Sequence, residues 1–477
     1  MLSTGTIPES LKSIHKAFTN IVPNHSLGIP ISLFAGLATT SLFVLAFRDI
    51  CITTDVDVTQ NALSKSKSES HLKSKSKSKS KVIPSPLTTQ IPTLSHEKIS
   101  ALPYPPDIFP GARDITSPHG STRAYEFGPL NGPKILLVHG ISTPCISLHH
   151  LATALASTHG CRVLLFDLFG RGYSDGVADL PHDERLYTAQ ILLVLTSSSI
   201  SWAGEGFHII GFSMGGGIAV DFAVDFPAMV RGVVLLAPGG LIREERFGWK
   251  GKVMRKWWFP DGLWGWILRR RVRGAYEEVS SSLSTSPSSS LRASDSEFKP
   301  GNHVENRAQV DSELIMAVPS SFSSPVASTD TKISFDDTPI SPSLPYITVG
   351  QVMRWQTQQH RGYANAFASS IMYASISGCG EKWMGLWEAR SGSVMQQESN
   401  VKREKILVVV GEWDDVVVVK ELKEDLEGVV GSIGAGNVGS GVFDERVVWK
   451  VLEGAGHEFP ITRGEEVAGI IGEFLEV

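Results

Sequence analysis

The sequence predicts an α/β fold with a parallel sheet, and three observations predict it. A G-x-S-x-G segment at 211–215 lies between an apolar run and a stretch with helical character. Other short apolar runs end in glycine-rich or polar segments, as buried strands do where they lead into loops. Two of these runs return near the C-terminal end after a long interruption. At 477 residues, the chain can bury a large core and also hold an insertion.

The N-terminal part divides into a segment at 1–27, a predicted membrane anchor at 28–48 and a linker at 49–102. An uncharged apolar run ends at Arg48 and is about long enough to cross a hydrocarbon core as a helix. The alternatives are a long signal peptide and a buried helix. A signal peptide usually has a shorter apolar region and small residues before its cleavage site. We therefore expect a single-pass membrane protein, whose organelle the sequence does not specify.

Lysine and serine alternate in the predicted linker from Ser64 to Lys81, and prolines recur from Pro84 to Pro106. A Lys/Ser alternation cannot form a core, so we expect a solvated tether that is either a simple spacer or attracted to anionic lipid. The basic charge after the apolar run favours a cytoplasmic catalytic domain.

Ser213 is the candidate nucleophile. It lies in Gly211-Phe212-Ser213-Met214-Gly215, after the apolar run at 207–210 and before a helix-like stretch. A serine on a tight strand-to-helix turn projects its hydroxyl clear of the sheet, and the crowded turn requires small residues on either side. A hydroxyl is a poor nucleophile near neutral pH, so a base and a group that orients the base must also be present.

The candidate acid is Asp414. The apolar run at 405–410 reads as a buried strand that ends in an acidic segment, and functional groups collect at the carboxyl ends of parallel strands. Asp415 is the near alternative and Glu412 a weaker one. A solvated acidic turn without catalytic function is the structural alternative.

The candidate base is His457, which follows the predicted strand at 446–452 and a glycine-containing loop. The imidazole pKa lies near neutrality, which suits a group that accepts and returns a proton. Most histidines are surface or core residues without a catalytic role. Here the chain order Ser213, Asp414, His457 matches the nucleophile, acid, base order of one fold.

With these motifs, the chain resembles the α/β-hydrolase superfamily over about 103–242 and 401–477. The resemblance implies a mostly parallel sheet flanked by helices, with an inserted helical cap, and a serine hydrolase that needs no metal or organic cofactor. It also implies an oxyanion hole formed by the backbone N–H groups of Ile141 and Met214. His139, in the preceding His-Gly pair, is interpreted as structural.

A second stretch that resembles the family runs from Asp167 to Asp175 and fits the pattern D-x-x-G-x-G-x-S. The resemblance implies that this stretch shapes a turn at the rim of the active site. Asp167 precedes the serine in the chain and therefore ranks below Asp414 as the acid.

The insertion at 243–400 divides the core into parts at 103–242 and 401–477. The resemblance implies a cap, which selects substrate and excludes water. Aromatic and basic residues alternate between Trp249 and Arg273 and fit either a helix buried against the core or a lipid interface. A Ser- and Pro-rich stretch at about 280–345 is predicted to be a disordered loop, and a helical pattern follows Thr348.

The composition limits the partners. A formal net charge of −5 gives no overall signal for nucleic-acid binding. The 4 cysteines lack metal-ligand spacing and do not suggest a disulfide framework. Cys145 and Cys161 could pair, but we expect reduced buried thiols. The sequence thus predicts a membrane-tethered serine hydrolase of carboxylic esters, with a lipid-like ester suggested by the anchor and the aromatic cap. The alternatives are a C–C or thioester hydrolase with the same three residues and a non-catalytic binding protein.

Overall fold

In the computed structural model, the described residues are 81–247, 337–391, 405–433 and 441–477. The strands are β1 (Val82–Ile83), β2 (Ala112–Ser117), β3 (Gly120–Phe127), β4 (Lys134–Val138), β5 (Arg162–Phe166), β6 (Gly176–Val177), β7 (Phe207–Phe212), β8 (Val230–Leu236), β9 (Pro339–Ser341), β10 (Leu344–Thr348), β11 (Ile406–Gly411) and β12 (Val447–Leu452).

The helices that these residues form are α1 (Pro86–Thr89), α2 (His96–Ser100), α3 (His149–Ser157), α4 (Glu184–Thr196), α5 (Met214–Asp225), α6 (Val349–Gln359), α7 (Tyr363–Tyr373), α8 (Gly380–Ser391), α9 (Val419–Ile433), α10 (Gly441–Arg446), α11 (Phe459–Thr462) and α12 (Gly464–Leu475). Single 3₁₀ turns lie at Ile91–Thr93, Cys145–Leu148 and Glu244–Phe247.

Within the described residues, eight strands form a central sheet in the order β12-β11-β8-β7-β4-β5-β3-β2. The six strands from β12 to β5 run parallel, whereas β3 and β2 are antiparallel to their neighbours. Every residue of β11 is buried, as expected for a strand covered on both faces. The helix α3 packs against α12, and α5 packs against α4 and α8. The predicted α/β fold with a mostly parallel sheet and flanking helices is confirmed.

The described part of the insertion lies between β8 and β11. It contains the antiparallel pair β9 and β10, followed by α6, α7 and α8. The helix α6 begins at a capping box in which the Thr348 hydroxyl accepts from the Gln351 N–H and the Gln351 side chain accepts from the Thr348 N–H. The prediction of a disordered loop at about 280–345 was therefore wrong at its C-terminal end, because Ile340 and Ser341 are buried in the β9–β10 pair.

The prediction of a linker throughout 49–102 was also wrong at its C-terminal end. The strand β1 pairs with β6, and the Ser85 N–H donates a 2.8 Å hydrogen bond to Asp175 Oδ1. Gln90 accepts a hydrogen bond of 3.0 Å from the indole of Trp355 in α6. Prolines do not exclude order here, because Pro86 is buried in the first turn of α1, where a missing N–H costs nothing.

Several predictions concern residues outside the described part of the chain. They are the segment at 1–27, the anchor at 28–48, the Lys/Ser tract up to residue 80 and the aromatic and basic stretch from 249 to 273. In the described ranges, no helix combines the length and apolar character that a membrane span needs.

Candidate active site

Ser213 occupies a sharp turn between β7 and α5. Its backbone has φ 54° and ψ −122°, a conformation that residues with a side chain rarely adopt and that costs about 1–3 kcal/mol. The turn is crowded: a Cβ on Gly211 would lie 2.2 Å from the carbonyl oxygen of Gly215, and a Cβ on Gly215 would lie 2.2 Å from that of Val138. Glycines at both positions therefore allow the chain to turn directly after the strand and present the serine hydroxyl at its end.

His457 lies in the loop after β12 and is buried, with only 5% of its surface exposed. Its Nε2 atom is 3.1 Å from the Oγ of Ser213, and its Nδ1 atom is 2.8 Å from Oδ2 of Asp414. The imidazole thus lies between the hydroxyl and the carboxylate, although 244 and 43 residues separate it from them in the chain.

Asp414 follows β11 directly and is also buried. Its second oxygen, Oδ1, accepts hydrogen bonds from the N–H groups of Val416 and Val417 at 2.9 and 2.7 Å. These bonds fix the carboxylate so that Oδ2 faces the imidazole. Of the three acidic residues considered from the sequence, Asp414 is the one that hydrogen-bonds to His457, whereas Glu412 accepts from the N–H of Gly454 at 2.8 Å.

The protonation state of His457 is set by two opposing effects. Burial lowers its pKa, but the charge of Asp414 and the hydrogen bond to it, together with the charges of Glu458 and Asp415, raise the pKa above the ordinary value of 6.5. When the ring is neutral, Nδ1–H donates to Asp414 and Nε2 has a lone pair that faces the serine hydroxyl. This arrangement can remove a proton from Ser213.

The backbone N–H groups of Ile141 and Met214 flank the serine. A Cβ on Gly140 would lie 3.3 Å from that of Ser213, which shows how closely the loop after β4 approaches it. In the described part of the chain, neither N–H donates a hydrogen bond to the protein. Both groups are therefore unpaired within the described residues, as the donors of an oxyanion hole must be.

His139 orients the peptide group that carries the Ile141 N–H. Burial lowers the pKa of His139 to about 3, so the ring is neutral at physiological pH. Its Nε2 accepts from the N–H of Leu168 at 2.9 Å, which leaves the proton on Nδ1, and Nδ1 donates to the carbonyl oxygen of Gly140 at 2.7 Å. In a trans peptide the N–H points opposite to the C=O. The structural role predicted for His139 therefore includes directing the Ile141 N–H.

Asp167 has a different environment from Asp414. It is fully buried and accepts hydrogen bonds from the Tyr104 hydroxyl at 3.0 Å and from the N–H groups of Cys145 and Tyr173 at 2.9 Å each. Burial raises its pKa. These contacts hold the turn after β5 together, as expected for the stretch at 167–175. Cys145 and Cys161 are both buried free thiols.

Two residues at the rim of the site have roles that the sequence did not reveal. Arg171 and Gln356 are fully buried, and their side chains hydrogen-bond to the carbonyl oxygens of Ile141 and Ser142. Arg171 belongs to the motif at 167–175, but nothing in that motif indicates its partner. Gln356 lies in the insertion, 214 residues from its partner, and no local pattern marks it.

Comparison with known proteins supports the same fold. The family model Hydrolase_4, described as serine aminopeptidase, S33, matches residues 132–294, about a third of the chain. The matched residues contain strands β4, β5, β7 and β8 of the sheet, with Ser213 at the end of β7. Over the matched residues, the chain is similar to this family of the α/β-hydrolase superfamily. This finding confirms the resemblance inferred from the sequence motifs.

Similar proteins match this chain over part of their length. An uncharacterized protein of Mycobacterium tuberculosis is 32% identical over 139 residues, which cover 29% of this chain and 38% of that protein. A 2-hydroxymuconate semialdehyde hydrolase of a Pseudomonas species is 34% identical over 132 residues, 27% of this chain and 44% of that enzyme. This chain therefore spans less than half the length of these relatives.

Among solved structures, a bacterial membrane phospholipase A is similar to this chain with a TM-score of 0.45 and 15% sequence identity. The alignment covers 76% of this chain and 85% of that one.

Proposed function

We propose that this α/β-hydrolase is a serine hydrolase that cleaves carboxylic esters through an acyl-enzyme. The observation that carries the proposal is the position of the His457 ring, 3.1 Å from the Ser213 hydroxyl and 2.8 Å from the Asp414 carboxylate. This is the arrangement in which a base activates a serine and a carboxylate orients the base.

In the proposed reaction, the Ser213 oxygen attacks the ester carbonyl carbon while its proton moves to Nε2 of His457. The N–H groups of Ile141 and Met214 stabilise the oxyanion, and a donor of this kind contributes about 3–4 kcal/mol in comparable sites. His457 then gives its proton to the departing alkoxide, which leaves as the alcohol. A water molecule, deprotonated by His457, attacks the acyl-enzyme, and the acid is released as Ser213 regains its proton.

We propose a lipid-like ester, of the monoacylglycerol or lysophospholipid type, as the substrate class. The uncharged apolar run within 28–48 supports attachment to a membrane, and the aromatic and basic residues at 249–273 support contact with amphipathic molecules. An enzyme tethered to a membrane meets such esters at the surface to which it is bound.

A second candidate reaction is hydrolysis of a C–C bond by the same three residues. It is favoured by the sequence similarity to 2-hydroxymuconate semialdehyde hydrolase over 132 residues. A substrate panel that contains 2-hydroxymuconate semialdehyde, thioesters and esters of increasing chain length separates the candidates. Preferential turnover of long-chain esters supports the first proposal, and preferential turnover of the semialdehyde contradicts it.

Labelling with a fluorophosphonate tests the nucleophile. We expect the wild-type protein to be labelled covalently and Ser213→Ala to be unlabelled, with hydrolysis reduced by about four to six orders of magnitude. Ser432→Ala is the matched control, because this serine is exposed on α9, and it should be labelled like the wild type. If wild type and Ser213→Ala are labelled equally, or if neither is labelled, the proposed mechanism is wrong.

A further inference from the structure

The loop that follows β4 depends on side chains for its position. We define the oxyanion loop as residues 139–143. Within the described ranges, residues 140–143 form no backbone-to-backbone hydrogen bonds. Their carbonyl groups are held by side chains instead: that of Gly140 by His139, that of Ile141 by Arg171 and that of Ser142 by Gln356.

Gln356 reaches the oxyanion loop from the insertion. It lies on α6 and is fully buried. Its Nε2 donates to the carbonyl oxygen of Ser142 at 2.9 Å, and its Oε1 accepts from the N–H of Gly172 at 2.9 Å. A side-chain amide donates and accepts at the same time, so one residue joins the oxyanion loop to the turn at 167–175.

Arg171 holds the preceding carbonyl and also depends on the insertion. Its Nε donates to the carbonyl oxygen of Ile141 at 3.2 Å, and its Nη2 donates to the hydroxyl of Ser370 in α7 at 2.9 Å. Its Nη1 donates to the carbonyl oxygen of Phe169 and the hydroxyl of Tyr187, at 3.0 Å each. Since these partners are themselves buried, the guanidinium group has a fixed position.

We propose that the insertion positions the oxyanion hole of this enzyme, and that Gln356 is a positioning residue for the reaction. The proposal rests on the proposed function, in which the Ile141 N–H binds the oxyanion. That N–H lies one peptide group before the carbonyl that Arg171 holds and two peptide groups before the carbonyl that Gln356 holds. Fixing these carbonyls limits rotation of the loop and keeps the N–H directed at the oxygen beside Ser213. The insertion therefore contributes to the chemical step as well as to the substrate selection expected of a cap.

The proposal predicts a specific kinetic defect. A donor that acts on the oxyanion stabilises the transition state more than the bound substrate, so displacing it lowers kcat and leaves KM nearly unchanged. A residue that only shapes the substrate pocket would raise KM instead. A residue needed only for folding would reduce the fraction of active molecules and leave kcat per active site unchanged.

The experiment compares Gln356→Met, in which an unbranched side chain of similar size loses both hydrogen bonds, with Gln358→Met, an exposed position on the same helix. Active sites are titrated to completion with a fluorophosphonate, and kcat and KM for a short-chain ester are measured per titrated site. For Gln356→Met we expect kcat to fall about ten- to a hundredfold, KM to change less than threefold and the labelling rate to fall with kcat. Gln358→Met should match the wild type.

Ser370→Ala provides an independent test if Gln356→Met does not fold. It removes one partner of Arg171, and we expect kcat per titrated site to fall about threefold with KM unchanged. The proposal is wrong if kcat per titrated site is unchanged in Gln356→Met or, where that variant does not fold, in Ser370→Ala. It is also wrong if KM rises while kcat stays constant. If the proposed function itself is wrong, the result is different, because the fluorophosphonate would then not label the wild-type protein.

Discussion

At the scale of single residues, the charge around His457 determines the pH range in which the site can work. Burial lowers the pKa of His457, but Asp414, Glu458 and Asp415 raise it, and Asp414 has the largest of these raising effects. Glu458 follows His457 in the chain and lies in the same partly buried loop. Only the neutral imidazole can accept the proton of Ser213. Because the pKa of His457 is raised, activity is lost on acidification at a higher pH than for an ordinary histidine.

We therefore predict that kcat/KM rises with pH through an apparent pKa above 6.5. Glu458→Gln removes one of the charges that favour the imidazolium, and its apparent pKa should be lower than that of the wild type while activity at pH 8 is retained. Glu453→Gln, an exposed position in the same loop, should leave the profile unchanged. The measurement is kcat/KM between pH 5 and pH 9. An apparent pKa in Glu458→Gln that equals or exceeds the wild-type value contradicts this account.

At the scale of secondary-structure elements, α5 carries a buried carboxyl group that the proposed reaction does not use. Asp221 Oδ2 accepts a 2.5 Å hydrogen bond from the hydroxyl of Ser375, which lies between α7 and α8. Within the part of the chain that the structure describes, Oδ1 has no hydrogen-bond partner. Burial raises the pKa of Asp221 from 3.8 to about 7. The contact joins the helix behind the nucleophile to the insertion.

This pKa shift predicts a pH dependence of stability. The folded protein binds a proton at Asp221 more tightly than the unfolded chain does, so the resulting stability is fully present below pH 3.8 and is lost as the pH rises to about 7. For Asp221→Asn, which cannot ionise, we expect the melting temperature to fall less between pH 5 and pH 8 than in the wild type. Asp444→Asn, at an exposed aspartate on α10 that is not among the charges acting on Asp221, should show the wild-type slope. Parallel melting curves for Asp221→Asn and wild type would show that Asp221 does not titrate in this range.

At the scale of the whole molecule, the segment from residue 81 connects the region after β5 to the insertion. It pairs with β6 through β1, bonds to Asp175 through Ser85 and contacts Trp355 of α6 through Gln90. These contacts show that the folded domain includes residues 81–102. We therefore predict that its boundary lies before residue 81, whereas the composition indicates a boundary near residue 103.

Two truncations test this boundary and the predicted anchor. Without residues 1–80 the protein should leave the membrane fraction, keep its melting temperature and remain reactive towards the fluorophosphonate. Without residues 1–102 it should melt at least about 5 °C lower, because β1 and its buried contacts are lost. Sedimentation with membranes and thermal unfolding are the measurements. The boundary is wrong if both truncated proteins melt alike, and the anchor is wrong if removal of residues 1–80 leaves the protein with the membranes.

The sequence by itself determined the α/β class, the approximate positions of several sheet strands and the three residues nominated as nucleophile, acid and base. Strands such as β7 and β11 are short apolar runs that are almost entirely buried, and hydrophobicity marks them directly. Ser213 lies in a motif whose glycines are required by the local turn. The motif can therefore be recognised from this short segment alone, without knowledge of the rest of the fold.

Only the tertiary structure decided which groups meet. It selected Asp414 as the partner of His457 among three nearby acidic residues, and it brought Gln356 and Arg171 to the oxyanion loop. It also showed that residues 81–102 are part of the folded domain. A local sequence pattern indicates whether a segment prefers helix, strand or turn. A hydrogen bond between positions more than 200 residues apart depends instead on how the whole chain packs.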